Sequence, residues 1–287
     1  MKRLTRVPRR WLVIAALGAG VLLVALGAFA VYLLSFHAPD SRTGHVSGVS
    51  GHVQDILAQG NQKQVFAVVG DSISASGFFL KPIAQGNYDL GEYGAFADTI
   101  DFFGESFAVE SLAVHVGWTT ENVLDPANNT WQVCQPDESP LRCEYRVRRP
   151  AVALIMLGTN DVAASRTLES YRANLRQIVQ ISIDQGVIPV LSTIPPMPLT
   201  PSNTARIDAF NQVVRETAKD FDIPLIDYWG ALQAVPGYGI SADGVHPNNP
   251  PDGRSADFDD EHLQYGYTVR NLLALDALDM LRRSALE

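Results

Sequence analysis

The sequence predicts an α/β fold with a central parallel sheet covered on both faces by helices. Three observations predict it. Short β-branched apolar runs end in glycine or proline, helical stretches of roughly 10–20 residues separate them, and polar loops follow the runs. Residues 65–70 (VFAVVG) form the first run, a buried strand. Residues 95–103 place apolar side chains at helical spacing, and 107–114 read as a second strand. Residues 152–157 (VALIML) are apolar throughout and stop at Gly158, the pattern of a central parallel strand. An amphipathic helix over 167–185 is stopped by Gly186, and the strand over 187–193 is broken by Pro195-Pro196. Residues 205–221 are helical, 223–227 form a short strand, and 262–283 form a long final helix. Residues 64–287 are thus expected to make one domain.

The segments before that domain have a different character. Residues 1–37 hold no acid and five bases, Lys2, Arg3, Arg6, Arg9 and Arg10. The rest of the chain therefore carries 17 bases against all 31 acids, a net charge of −14. So acidic a body excludes a nucleic-acid binder, which needs clustered Lys and Arg to neutralise phosphate. Residues 11–36 contain no charged side chain, and about 20 apolar residues suffice for a transmembrane helix. Residues 1–10 are read as a basic cytoplasmic segment and 11–36 as a single-pass membrane anchor, with the body outside the cytoplasm. Ala28-Phe29-Ala30 resembles a signal-peptidase site, and cleavage after Ala30 would instead release a secreted form. Residues 37–63 are polar, rich in Ser and Gly, and read as a linker whose His37, His45 and His52 are exposed. In an oxidising compartment Cys134 and Cys143 can close a local loop, contributing about 2–3 kcal/mol. Two free thiols or a catalytic cysteine are the alternatives, and the second lacks a neighbouring base.

In open α/β sheets ligands bind at the carboxyl ends of the strands, so the loops there carry the chemistry. They read Gly70-Asp71-Ser72-Ile73-Ser74, Val116-Gly117-Trp118-Thr119-Thr120 and Gly158-Thr159-Asn160-Asp161. Before the last helix stands Asp243-Gly244-Val245-His246-Pro247-Asn248. A hydrolytic serine needs a base that titrates near neutrality. Among the histidines beyond residue 63, His115 ends a strand and His262 starts a helix, a solvated position. His246 follows Asp243 at a spacing that lets the carboxylate accept from Nδ1–H, leaving Nε2 free to take a serine proton. Each element alone has an ordinary reading as well: Ser72 as a helix cap, Asn160 as a turn residue, His246 as a hydrogen-bonded turn. The G-x-S-x-G elbow of the larger α/β-hydrolases is absent.

In order and spacing these blocks resemble the GDSL-type lipase/acylhydrolase family, the SGNH hydrolases, over about residues 64–280. G-D-S-I-S at 70–74, G-T-N-D at 158–161 and D-G-V-H-P-N at 243–248 carry the resemblance, and Gly266-Tyr267 continue it. The glycine block departs from the family pattern, because no Asn precedes Gly117 in residues 111–116. The resemblance implies a flavodoxin-like three-layer α/β/α sandwich. It implies Ser72 as nucleophile, His246 as base and then acid, and Asp243 as its orienter. The oxyanion hole would combine the N–H groups of Ser72 and Gly117 with the side-chain amide of Asn160. Glycine lets a backbone approach an oxyanion, and an asparagine supplies a neutral donor. Asp71 and Asp161 are expected to hold the loops.

The expected function is a membrane-anchored extracytoplasmic serine esterase on O-acyl esters, with no cofactor and no metal. Small acyl esters, lysolipids and acylated carbohydrates remain open as substrates. An O-acyltransferase using the same triad and a non-catalytic surface binding module are the alternatives. Trp118 lines the acyl pocket or sits exposed at a loop end, and 195–198 shape the cleft or serve as a rigid loop. The acidic stretch 252–261 reads as a solvated loop, since it lacks the spacing of a calcium loop.

Overall fold

The structure, a computed structural model, describes residues 41–48, 51–57 and 61–287. The anchor expected over 11–36 lies outside the described residues. Among the described residues five strands form one sheet: β1 Val46–Ser47, β2 Gln62–Gly70, β3 Pro150–Met156, β4 Ile188–Ser192 and β5 Leu225–Ile226. Their order is β1-β5-β4-β3-β2, with β2 to β5 parallel and β1 antiparallel on the outer side of β5. β3 is buried at every position, so both faces of the sheet are covered, as its unbroken apolar run requires.

The helices used below are α1 His52–Leu57, α2 Ser72–Ala75, α3 Ala97–Phe103 and α4 Pro140–Arg148. They continue with α5 Thr159–Ala163, α6 Leu168–Asp184, α7 Pro201–Phe221 and α8 Gly266–Leu281. Helix α6 begins where the Thr167 side chain accepts from the Ser170 N–H at 3.1 Å. Helices α6 and α7 pack on each other and on β4, while α8 packs on α3, β1 and β5. Every residue of α8 is buried, which removes the polar face that an amphipathic helix shows.

The structure corrects three sequence expectations. Residues 107–114 do not form a strand: a 3-10 turn, Gly104–Ala108, leads into a loop that meets β2 in a single bridge, Gly70 to Val114. Serine hydroxyls take the place of a backbone ladder there. Ser106 Oγ donates to the Gln64 carbonyl at 3.3 Å and Ser111 Oγ to the Val68 carbonyl at 2.6 Å. The final helix starts at Gly266, after a separate 3-10 turn, His262–Gln264. The described part of 37–63 is built into the domain rather than free as a tether. Val46, Val53 and Ile56 are buried. The buried Asp276 carboxylate accepts from Ser41 Oγ at 2.5 Å, Arg42 N at 2.9 Å, Thr43 N at 3.0 Å and Thr43 Oγ1 at 2.5 Å. Arg42 Nε also donates to Asp279 at 2.9 Å. Among the described residues no helix is long and apolar enough to cross a membrane.

Candidate active site

The β2-to-α2 turn places Ser72 at the first position of a helix, where the early N–H groups lack intrahelical acceptors. Asp71 caps that helix, its Oδ1 accepting from the Ile73 N–H at 3.0 Å. Gly70 is required by crowding, since a Cβ there would lie 2.2 Å from Ser74 Oγ and 3.1 Å from the Met156 carbonyl. Beneath the helix, the buried Arg270 of α8 donates to the Ile73 carbonyl and to Ser74 Oγ, each at 2.7 Å. Its guanidinium lies over the Phe79 ring, 3.7 Å from the centroid.

Ser72 Oγ stands 2.9 Å from His246 Nε2, and His246 Nδ1 stands 2.7 Å from Asp243 Oδ2. The Asp243 turn is itself tightly held. Its Oδ1 accepts from Ser241 Oγ at 2.7 Å and from the N–H groups of Val245 and His246, each at 2.9 Å. Burial pulls the Asp243 pKa upward, but these donors and the imidazole outweigh it and hold the carboxyl well below the usual range. An ionised Asp243 fixes the proton on Nδ1 and leaves Nε2 to accept from Ser72. Asn248 fastens the end of this loop to α8, its Oδ1 accepting from the Gly266 N–H at 2.7 Å.

Gly117 occupies a β-turn closed by the Trp118 N–H on the His115 carbonyl at 3.3 Å. Its φ of +82° is the left-handed conformation that favours glycine, and a Cβ would meet nothing, so backbone angle alone sets the residue. The Asn160 amide at the start of α5 links two of the loops. Nδ2 donates to the Trp118 carbonyl at 3.1 Å and to Asp71 Oδ2 at 3.3 Å. Asp161 ties α5 to the chain beyond Gly117 by accepting from Thr120 N at 3.0 Å and Thr120 Oγ1 at 2.6 Å. Burial pushes Asp71 up to about 6, against the Ile73 N–H and the charge of Arg270, and raises Asp161 as well. All the loops singled out from sequence thus meet at one end of the sheet.

Trp118 and His262 behave differently from their sequence reading. Trp118 is buried, stacked on His115 with centroids 5.3 Å apart, rather than exposed. His262 is not solvated: Nδ1 meets Asp259 Oδ2 at 2.8 Å and Nε2 meets Asp252 Oδ2 at 3.1 Å. Cys134 and Cys143 are bridged, with Cα atoms 5.4 Å apart. Sequence reasoning missed Arg270, Ser241 and Glu144. Glu144 of α4 is fully buried and accepts from the Leu112 N–H at 2.7 Å, on the segment leading to Gly117. Burial pushes its pKa up to about 7, against the pull of that N–H and of Arg148. A charged residue next to a bridged cysteine was the signal available for Glu144; nothing local marks Arg270.

An α/β sheet that gathers a serine, a histidine, a carboxylate and an amide at one end defines a serine-dependent ester hydrolase. Residues 68–250 match the GDSL-like Lipase/Acylhydrolase family, and the chain belongs to that family. Thioesterase 1/protease 1/lysophospholipase L1 of Escherichia coli (strain K12) is 25% identical over 181 residues, covering 59% of this chain and 85% of that protein. A GDSL-like lipase structure from Bacteroides thetaiotaomicron is 16% identical, covers 79% of this chain and 95% of its own, and has a TM-score of 0.48. An acetyl xylan esterase structure from Geobacillus stearothermophilus is 17% identical, covers 76% and 94%, and has a TM-score of 0.49.

Proposed function

We propose that the chain hydrolyses O-acyl esters through an acyl-Ser72 intermediate, and that it does so tethered outside the cytoplasm. The observation that carries the chemistry is the unbroken relay from Ser72 Oγ through the His246 ring to Asp243, with contacts of 2.9 and 2.7 Å. Ser72 Oγ attacks the ester carbonyl as its proton passes to His246 Nε2. Negative charge develops on the carbonyl oxygen, facing the N–H groups of Ser72 and Gly117 and the Asn160 amide. Collapse breaks the C–O bond, and the departing alkoxide takes the proton from His246. Water then attacks the acyl-serine, giving its proton to His246, and the carboxylic acid leaves as Ser72 is reprotonated.

A fluorophosphonate probe is expected to label a peptide containing Ser72, and Ser72→Ala to abolish both labelling and ester turnover. Turnover that survives in Ser72→Ala overturns the assignment. The location rests on the basic residues 1–10 followed by the uncharged run 11–36. Carbonate washing is expected to leave the protein in the membrane fraction. A soluble form beginning near Val31 would mean cleavage after Ala30 instead.

A further inference from the structure

Beside the nucleophile helix, on the outer edge of β2, lies a pocket of about 300 Å³ that the triad does not line. It exists because residues 107–114 fail to pair as a strand. The Ser106 and Ser111 hydroxyls reach β2 as spacers, so the backbone stands off and leaves room between. The walls are mainly apolar, Phe66 and Val68 from β2 with Phe79, Phe107, Val109 and Trp131 around them, while Lys81 and Glu110 add charge to the lining. Trp131 and Val109 remain 44% and 37% exposed, and Val116 at the rim is 65% exposed. Such a cluster of exposed apolar side chains around an apolar cavity marks a ligand site rather than ordinary surface.

The pocket is continuous with the catalytic loops. Ser74 and Ala75 belong to the same four-residue helix as Ser72, and His115 and Val116 immediately precede Gly117. It is thus flanked on both sides by residues next to the oxyanion donors. No residue of the 241–248 loop lines it. The leaving oxygen of an ester has to face His246 Nε2, from which it takes its proton, so the pocket lies on the acyl side of the carbonyl. We infer that this pocket binds the aliphatic chain of the acyl group, making the substrates medium-chain fatty acyl esters in preference to acetylated carbohydrates. The inference rests on the esterase reading above. An acetyl group would leave these walls wet, whereas an alkyl chain buries against them, contributing about fourfold in affinity per methylene.

The test separates binding from catalysis. Dansylundecanoic acid is titrated by fluorescence into Ser72→Ala protein and into the same protein carrying Val68→Phe or Val109→Trp, which fill the pocket from opposite walls. Val109 is partly exposed, so its variant tests the idea even if Val68→Phe fails to fold. Binding to Ser72→Ala that weakens at least tenfold in a folded, plugged variant supports the pocket. Absence of binding to Ser72→Ala, or equal binding to all three, overturns it. In parallel, kcat/KM is measured for nitrophenyl esters from acetyl to decanoyl. It is expected to rise with chain length in the native protein and to flatten with Val109→Trp, while acetyl ester turnover is kept. A chain-length profile unchanged by plugging overturns the inference. Fatty-acid binding lost on plugging, with no ester of any length turned over, sustains the pocket and overturns the esterase reading.

Discussion

At the scale of single residues, Asn160 gives the sharpest test. Its two N–H groups go to Asp71 and the Trp118 carbonyl in the resting structure, and in the proposed reaction one of them turns to the oxyanion. Losing one such donor typically lowers kcat by about 10²–10³. Asn160→Ala is therefore expected to lower kcat and kcat/KM together with KM little changed, measured by steady-state kinetics beside a melting curve. A fall in melting temperature alone would make Asn160 a scaffold residue. Glu144 makes a different prediction. Its pKa rises from the ordinary carboxylate value of 4.5 to about 7 on folding, so the folded state holds a proton that the unfolded state releases. Its contribution is fully present below about pH 4.5 and is lost as the pH climbs through about 7, to a total of at most about 3 kcal/mol. Glu144→Gln keeps an acceptor for the Leu112 N–H and is expected to gain stability relative to the native chain as pH rises across that window, read by denaturant titration at several pH values. Ser72, Asn160, Asp243 and His246 were legible because each sits in a short motif directly beside a strand or helix end. Arg270 and Glu144 were not, because their partners lie 196 and 32 residues away in sequence.

At the scale of elements, the apolar periods read correctly wherever burial alone decides, as in β3 and α6. They failed at 107–114, where the pattern was strand-like but Ser106 and Ser111 compete for the β2 edge through their hydroxyls. They failed again before residue 64. A two-residue strand carries no period, and the Asp276 carboxylate that holds Ser41 and Thr43 lies more than 230 residues on. The bridge between Cys134 and Cys143 clips the loop from which Trp131 reaches the pocket, and α4 begins within it. Replacing both cysteines by serine is expected to cost about 2–3 kcal/mol in denaturant unfolding while the kcat on acetyl esters is kept. Loss of acetyl ester turnover in the folded variant would place the loop in the chemistry rather than beside it.

At the scale of the whole molecule, the nucleophile helix follows β2 at one edge of the sheet, while β1 occupies the other. The entering segment is fastened through Asp276 and Asp279 of α8, which together hold Ser41, Arg42 and Thr43. Asp276→Ala removes the acceptor shared by all three, and trypsin is expected to cut after Arg42 much faster in that variant than in the native protein, followed by mass spectrometry of the digest. Equal rates would mean that β1 and α1 alone keep the segment in place. β1 also has a role that depends on no contact with substrate. It is the piece of chain that stops the sheet, since β5 without it would present unpaired N–H and C=O groups to the solvent, an invitation to another copy. Dividing the protein where its hydrophobic pattern starts, at residue 64, would therefore uncover the side of β5 that β1 pairs. A chain begun at residue 40 is expected to elute as a single small species on gel filtration, and one begun at 64 as aggregates, whatever becomes of the ester chemistry at the opposite edge.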